Sequence, residues 1–159
     1  MTTRCVVADD KFGVLAKRCW ELQRRVREGT IDPDEAADGI QAIMEGRTLP
    51  VEMTIGDRTY EILGFLRGDE KSVSGSVMVE RAKEMQANLG QDDGQYLLDH
   101  QKEIPEALRG KVVFVFPDWR HPVDPVRVAC VSWNGIRWVQ DWHWLGHDFH
   151  DDARVLRRK

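Results

Sequence analysis

The chain has 159 residues, 42% hydrophobic and 31% charged, with a formal net charge of −4. That length buries enough apolar surface to hold a fold without disulfides or a structural metal, and the composition excludes a disordered chain. The acidic balance argues against a general nucleic-acid binder, whose affinity comes mostly from a basic excess.

The opening MTTRCVVADD carries no apolar run long enough for a signal peptide. From Phe12, the residues Phe12, Leu15, Cys19, Leu22 and Val26 recur at steps of three and four, one stripe of an amphipathic helix that Gly29 is placed to stop. Asp32-Pro33-Asp34-Glu35 reads as a fresh start, with Asp32 as cap and Pro33 at the first helical position. Ala36, Ala37, Ile40, Ile43 and Met44 continue the apolar face as far as Gly46. Residues 1–46 are therefore expected to hold a helical hairpin, ahead of an α+β domain over 47–159. Two helices cannot cover each other's stripes. The hairpin must lie on the same chain or support a homo-oligomer.

Val51, Met53 and Ile55 alternate with polar residues, Gly56-Asp57 turns, and Tyr60 and Ile62 alternate again, which predicts a short β-hairpin. Arg67 to Ser76 is polar and glycine-bearing, the expected mobile loop. Helices are predicted from about Ser76 to Asn88 and from Asp92, with a last helical turn opened by Pro105. Lys111 to Phe116 is continuously apolar, as a strand covered on both faces should be, and far too short to span a membrane.

Val126 to Trp133 and Ile136 to Leu145 are predicted strands joined by Asn134-Gly135. A two-residue turn there sets Trp133 opposite Ile136, Val131 opposite Trp138 and Arg127 opposite Trp142. One face then carries Trp133, Trp138, Trp142 and Trp144, and the other Cys130, Ser132, Asp141 and His143. The expected fold is thus α+β: the helical hairpin, a short β-hairpin, two to three further helices and a C-terminal three-stranded antiparallel sheet rich in tryptophan.

The motifs ERAKEMQANLG, DDGQYLLDHQKEIPEALRGK and FPDWRHPV…WNGIRW, together with REGTIDPDEAADGIQAIMEG at the front, resemble a group of uncharacterised small bacterial proteins known from genomes of uncultured lineages. The resemblance implies a bacterial intracellular protein and assigns no catalytic residue.

Three constellations bear chemistry. His143, His147 and His150 are interleaved with Asp141, Asp148, Asp151 and Asp152. Imidazole and carboxylate together suit a divalent metal, although no fixed ligand spacing is met. Five of the six tryptophans, Trp119, Trp133, Trp138, Trp142 and Trp144, lie in the last third of the chain. They form either the core of the sheet or a platform for a ligand, with Arg127 over Trp142 as a cation–π pair at its rim. The segment Pro117 to Pro125 displays Asp118, Trp119, Arg120 and His121 on a proline-stiffened loop. The cysteines Cys5, Cys19 and Cys130 form no pair-like spacing, and phosphate-loop, dinucleotide and nucleophile-elbow motifs are absent from the sequence.

The leading expectation is a non-catalytic cytoplasmic binding or regulatory protein. It would hold a protein partner or small ligand through Trp119, Arg120, His121, Arg127, Trp142 and Trp144, without cofactor or membrane. The alternatives are a metal-dependent hydrolase centred on His143, His147 and His150, and local nucleic-acid contact through the basic tail Arg154, Arg157, Arg158 and Lys159.

Overall fold

The computed structural model describes residues 9–45 and 49–159, and the chain falls into two units, Met1–Thr48 and Leu49–Lys159. Cys5, the expected stop at Gly46 and the expected boundary after it lie outside the described residues.

In the first unit α1 spans Asp9–Arg27 and α2 spans Pro33–Met44. Gly29 takes φ +72° just beyond α1, its N–H reaches the Val26 carbonyl, and the Thr30 N–H reaches that of Arg25. Those two bonds are a Schellman motif, which satisfies carbonyls the helix would otherwise leave open. The Asp32 carboxylate accepts from the Asp34 and Glu35 N–H groups, so the cap read from the sequence forms.

The second unit begins with β1 (Glu52–Ile55) and β2 (Arg58–Leu63), paired across the Gly56-Asp57 turn as expected. Met53, Ile55, Tyr60 and Ile62 are buried while their neighbours are not, the half-buried alternation visible in the sequence. Then come β3 (Ser72–Ser74), α3 (Gly75–Glu84), α4 (Gln91–Asp99) and single 3₁₀ turns at Gln101–Glu103 and Glu106–Leu108. The last part supplies β4 (Val113–Arg120), β5 (Arg127–Trp133), β6 (Trp138–Trp144), β7 (Asp148–His150) and β8 (Ala153–Arg158).

The α+β class holds, but the sheet is larger than expected. It has six strands in the order β1-β2-β8-β4-β5-β6, antiparallel except where β8 lies parallel to β4, and a second ribbon pairs β3 with β7. The C-terminal residues are therefore no tail, because β8 enters between β2 and β4. Val155 and Leu156 point to opposite faces and are both fully buried, which only a central strand allows. The basic residues around them already hold carboxylates: Arg157 pairs with Glu61, Arg158 with Asp93, and Lys159 with Glu52.

Two loops are also more ordered than expected. Within 67–76, β3 pairs with β7, and Glu70 takes two bonds from Arg81 that hold its carboxyl at about 2. Within 117–125, β4 continues to Arg120, and only the segment after it turns. Its ladder to β5 breaks between Phe116 and Arg120, where Pro117 has no N–H to donate.

The register of β5 and β6 differs by two residues from the expected one. Trp133 lies opposite Trp138, Ala129 opposite Trp142, and Arg127 opposite Trp144. Asn134 causes the shift: its side chain accepts from the Ile136 and Arg137 N–H groups, so the turn takes four residues, with Gly135 at φ +98°. A shift of two preserves the alternation, and every side chain keeps its predicted face.

The tryptophan face is closed by α4 and the 3₁₀ turns. Trp138, Phe114, Phe116, Leu97, Ile104 and Leu108 form its core, and Trp133 and Trp142 border it. Helix α3 and the β3-β7 ribbon, the latter through Phe149, cover the opposite face over Val115, Val128, Cys130 and Val155.

Candidate functional site

That second cover is incomplete. Beside the ribbon, the sheet floor of Val113, Val115, Cys130 and Ser132 opens into a pocket of about 290 Å³. Edge strand β6 contributes Asp141 and His143, which alternation directs away from the core tryptophans. Strand β7 contributes Asp148 and His150, with Asp152 at the turn that follows. Phe149, buried between its polar neighbours, anchors β7 and meets the His143 ring edge-on at 4.8 Å. Three carboxylates and two imidazoles thus line one cleft, and among the described residues no lysine or arginine lines it.

Each group has a defined setting. Asp141 accepts from the Trp142 N–H at 2.7 Å, satisfying part of an exposed strand edge, and Asp148 accepts from the Ser72 hydroxyl at 3.3 Å. Burial pushes the His143 pKa below its ordinary value and neighbouring His147 pushes it further, against the pull of Asp141 and Asp152. His143 is therefore a neutral imidazole near neutral pH. Burial, with a smaller contribution from Asp141, pushes the Cys130 thiol up to about 12, so it stays protonated and is a poor nucleophile. The floor is inert and the walls are acidic.

The residues expected to hold a metal are divided. His143 and His150 line the cleft, whereas His147 stands at 5.6 Å from both the His143 and Trp144 rings and does not line it. Among the described residues, no group of three or more histidine, cysteine, aspartate or glutamate side chains could hold a metal ion.

The residues expected to hold a ligand are divided too. Trp119 is 8% exposed, wedged against α4 where Gly94 lacks a side chain, and edge-on to Phe116 and Trp142. Arg120 donates to the carbonyls of Pro117 and Pro125 and ties the ends of the turn together. His121 Nδ1 accepts from the N–H groups of Val123 and Asp124, which fixes its ring beside Trp142 at 4.9 Å. The expected Arg127–Trp142 stack does not form, because Arg127 lies opposite Trp144 and pairs with Asp124 at 3.0 Å. The guanidinium–aromatic stacks lie elsewhere, Arg58 over Tyr96 at 3.9 Å and Arg109 over Trp133 at 4.6 Å. Trp142, His121 and half-exposed Trp144 remain as an aromatic rim at the end of β6.

Sequence reasoning missed one buried polar network. Asp93 accepts from Tyr60 Oη at 2.7 Å and from Arg58 and Arg158 at 3.2 Å each. Burial and that bond raise the Tyr60 pKa, so the phenol stays a donor. The network joins α4 to β2 and β8, and its full pairing marks it as structural.

The chain matches no protein-family model, no curated protein and no solved structure. Among the described residues, no helix is long and apolar enough to cross a membrane.

Proposed function

We propose that the chain is a non-catalytic binding protein whose ligand-holding element is the acidic cleft between β6 and β7, and that the ligand is an organic cation carrying an amine or guanidinium group. One observation carries this reading: Asp141, Asp148 and Asp152 line a pocket that, among the described residues, no lysine or arginine lines. Three carboxylates converging on one cleft attract a cation more strongly than any one of them alone, and neutral His143 adds an acceptor without opposing charge. The protonated thiol in the floor argues for holding a ligand rather than attacking it. The proposed compartment is the cytoplasm, which suits the free thiols of Cys19 and Cys130.

The metal-dependent alternative keeps one point in its favour, that His143 and His150 share the cleft with three carboxylates. Calorimetric titration separates the two readings, with agmatine as one titrant and zinc chloride as the other. Agmatine should bind, and the isosteric changes Asp141→Asn and Asp148→Asn, which keep one acceptor oxygen, turn the other into an NH2 donor and remove the charge, should each weaken it roughly tenfold. Tight stoichiometric zinc with no agmatine heat would replace the cation reading with the metal one.

A further inference from the structure

Strand β6 ends the main sheet and has a neighbour, β5, on one side only. The Leu145 N–H donates to the Val126 carbonyl, so the bonded pairs with β5 fall at Val139, Asp141 and His143. The backbone groups of Trp138, Gln140, Trp142 and Trp144 therefore face outward. Both ends of that row are occupied. Gln101 Oε1 accepts from the Trp138 N–H at 2.9 Å, and the Trp144 carbonyl accepts from the His147 N–H at 3.0 Å. Between them, among the described residues, nothing bonds the N–H or carbonyl of Gln140 or the carbonyl of Trp142. The Trp142 N–H is met by the neighbouring Asp141 carboxylate at 2.7 Å.

The same stretch is a wall of the acidic cleft, because Asp141 lines the pocket. A strand added antiparallel at this edge sets one residue directly opposite Asp141, in a pair that shares no backbone bonds and brings the two side chains closest. That residue points into the cleft. Its two neighbours lie opposite Gln140 and Trp142, exchange backbone hydrogen bonds with the open groups, and turn their side chains to the tryptophan face. Resting on the reading that the cleft holds an organic cation, we infer that this cation is a lysine or arginine side chain of an extended peptide segment, which adds to β6 at Gln140 and Trp142. The open backbone selects an extended chain, and Asp141, Asp148 and Asp152 select a basic residue opposite Asp141. A second copy of β6 does not fit, since its seven residues include Asp141 and no lysine or arginine. On pairing, a peptide carbonyl takes over the Trp142 N–H, and the carboxylate oxygen it releases turns to the ammonium or guanidinium.

Calorimetric titration of the full chain with the capped pentapeptide acetyl-TVKVT-amide tests this, with agmatine as the reference. The peptide should bind roughly tenfold more tightly than agmatine, because backbone hydrogen bonds add to the charge contact. Each valine directs its N–H at β6, so N-methylating either one should remove that gain. The lysine N–H points away, and N-methylating it should leave the gain intact. Replacing the lysine by norleucine should weaken binding roughly tenfold. All these changes lie in the peptide, so the fold of the protein is the same in every arm. A peptide that binds no more tightly than agmatine overturns the inference and leaves the cation reading standing. So does a gain that survives methylation of both valines. A norleucine peptide as tight as the lysine one overturns the inference, and if agmatine also fails to bind, the cation reading falls with it. No binding of peptide or agmatine overturns both.

Discussion

At the residue scale, tryptophans that look alike in sequence differ in what they hold. Trp138 is 1% exposed and packs on Phe114 and Trp133, with ring centroids at 5.4 and 5.9 Å. Trp138→Ala should cost about 3–5 kcal/mol, because lost transfer energy and an unfilled cavity add. Trp142 is only partly buried, so Trp142→Ala should cost less than half as much in denaturant unfolding. Two glycines make a second contrast. A Cβ on Gly94 would stand 2.4 Å from the Trp119 ring, whereas one on Gly39 meets nothing within 4 Å. Alanine gains up to about 1 kcal/mol of helix propensity at either position, but overpacking a closed core costs about 1–3 kcal/mol. Gly39→Ala should therefore raise the melting temperature and Gly94→Ala should lower it. His143 gives a pH signature. Its pKa is ordinary, near 6.5, in the unfolded chain and lower in the folded one, so as pH falls through 6.5 the unfolded state takes up the proton first. Stability should fall with pH from about 7 downward, and His143→Gln should flatten that slope in melts at successive pH values.

At the scale of elements, what the sequence disclosed followed from local signals. The cap at Asp32, the stop at Gly29 and the alternation from Met53 to Ile62 are each set by near neighbours, and each appears in the fold. The division of β5 and β6 between two faces survived a wrong turn length because an even shift keeps parity. The strand β8 was not legible: Val155-Leu156 is too short to read as a strand, and the arginines around it look like a solvated tail. Its pairing with β2 and β4 depends on partners far away in the chain, which local pattern does not report. The cleft was half legible. Asp141 and His143 could be assigned to one face by alternation, but β7, which closes it, has three residues held by the equally short β3. The position of β8 yields its own prediction. Deleting residues 153–159 should abolish cooperative unfolding of the second unit, as judged by near-ultraviolet circular dichroism, because it splits the sheet and uncovers Phe114, Val115 and Tyr60. A tail would be dispensable.

At the scale of the whole molecule, the fold closes most of one face of its sheet, leaving a tryptophan rim, and covers the other less completely. The closed face absorbs the large aromatics, and the partly covered one leaves acid and imidazole groups around an inert floor. The account stands on that asymmetry, since it assigns binding to the cleft and stability to the tryptophans. It also sets a pH dependence for binding: protonating His143, which takes a pH below the ordinary histidine range, introduces a positive charge among the carboxylates, so cation binding should weaken as the pH is lowered from 7.5 through and below that range. The most direct test is amide chemical-shift mapping of the full chain during titration with agmatine at pH 7.5. The account predicts saturable shifts concentrated at Asp141, His143, Asp148 and His150, and their loss in Asp141→Asn with Asp148→Asn. Shifts confined to His121, Trp142 and Trp144, or none at all, would contradict it.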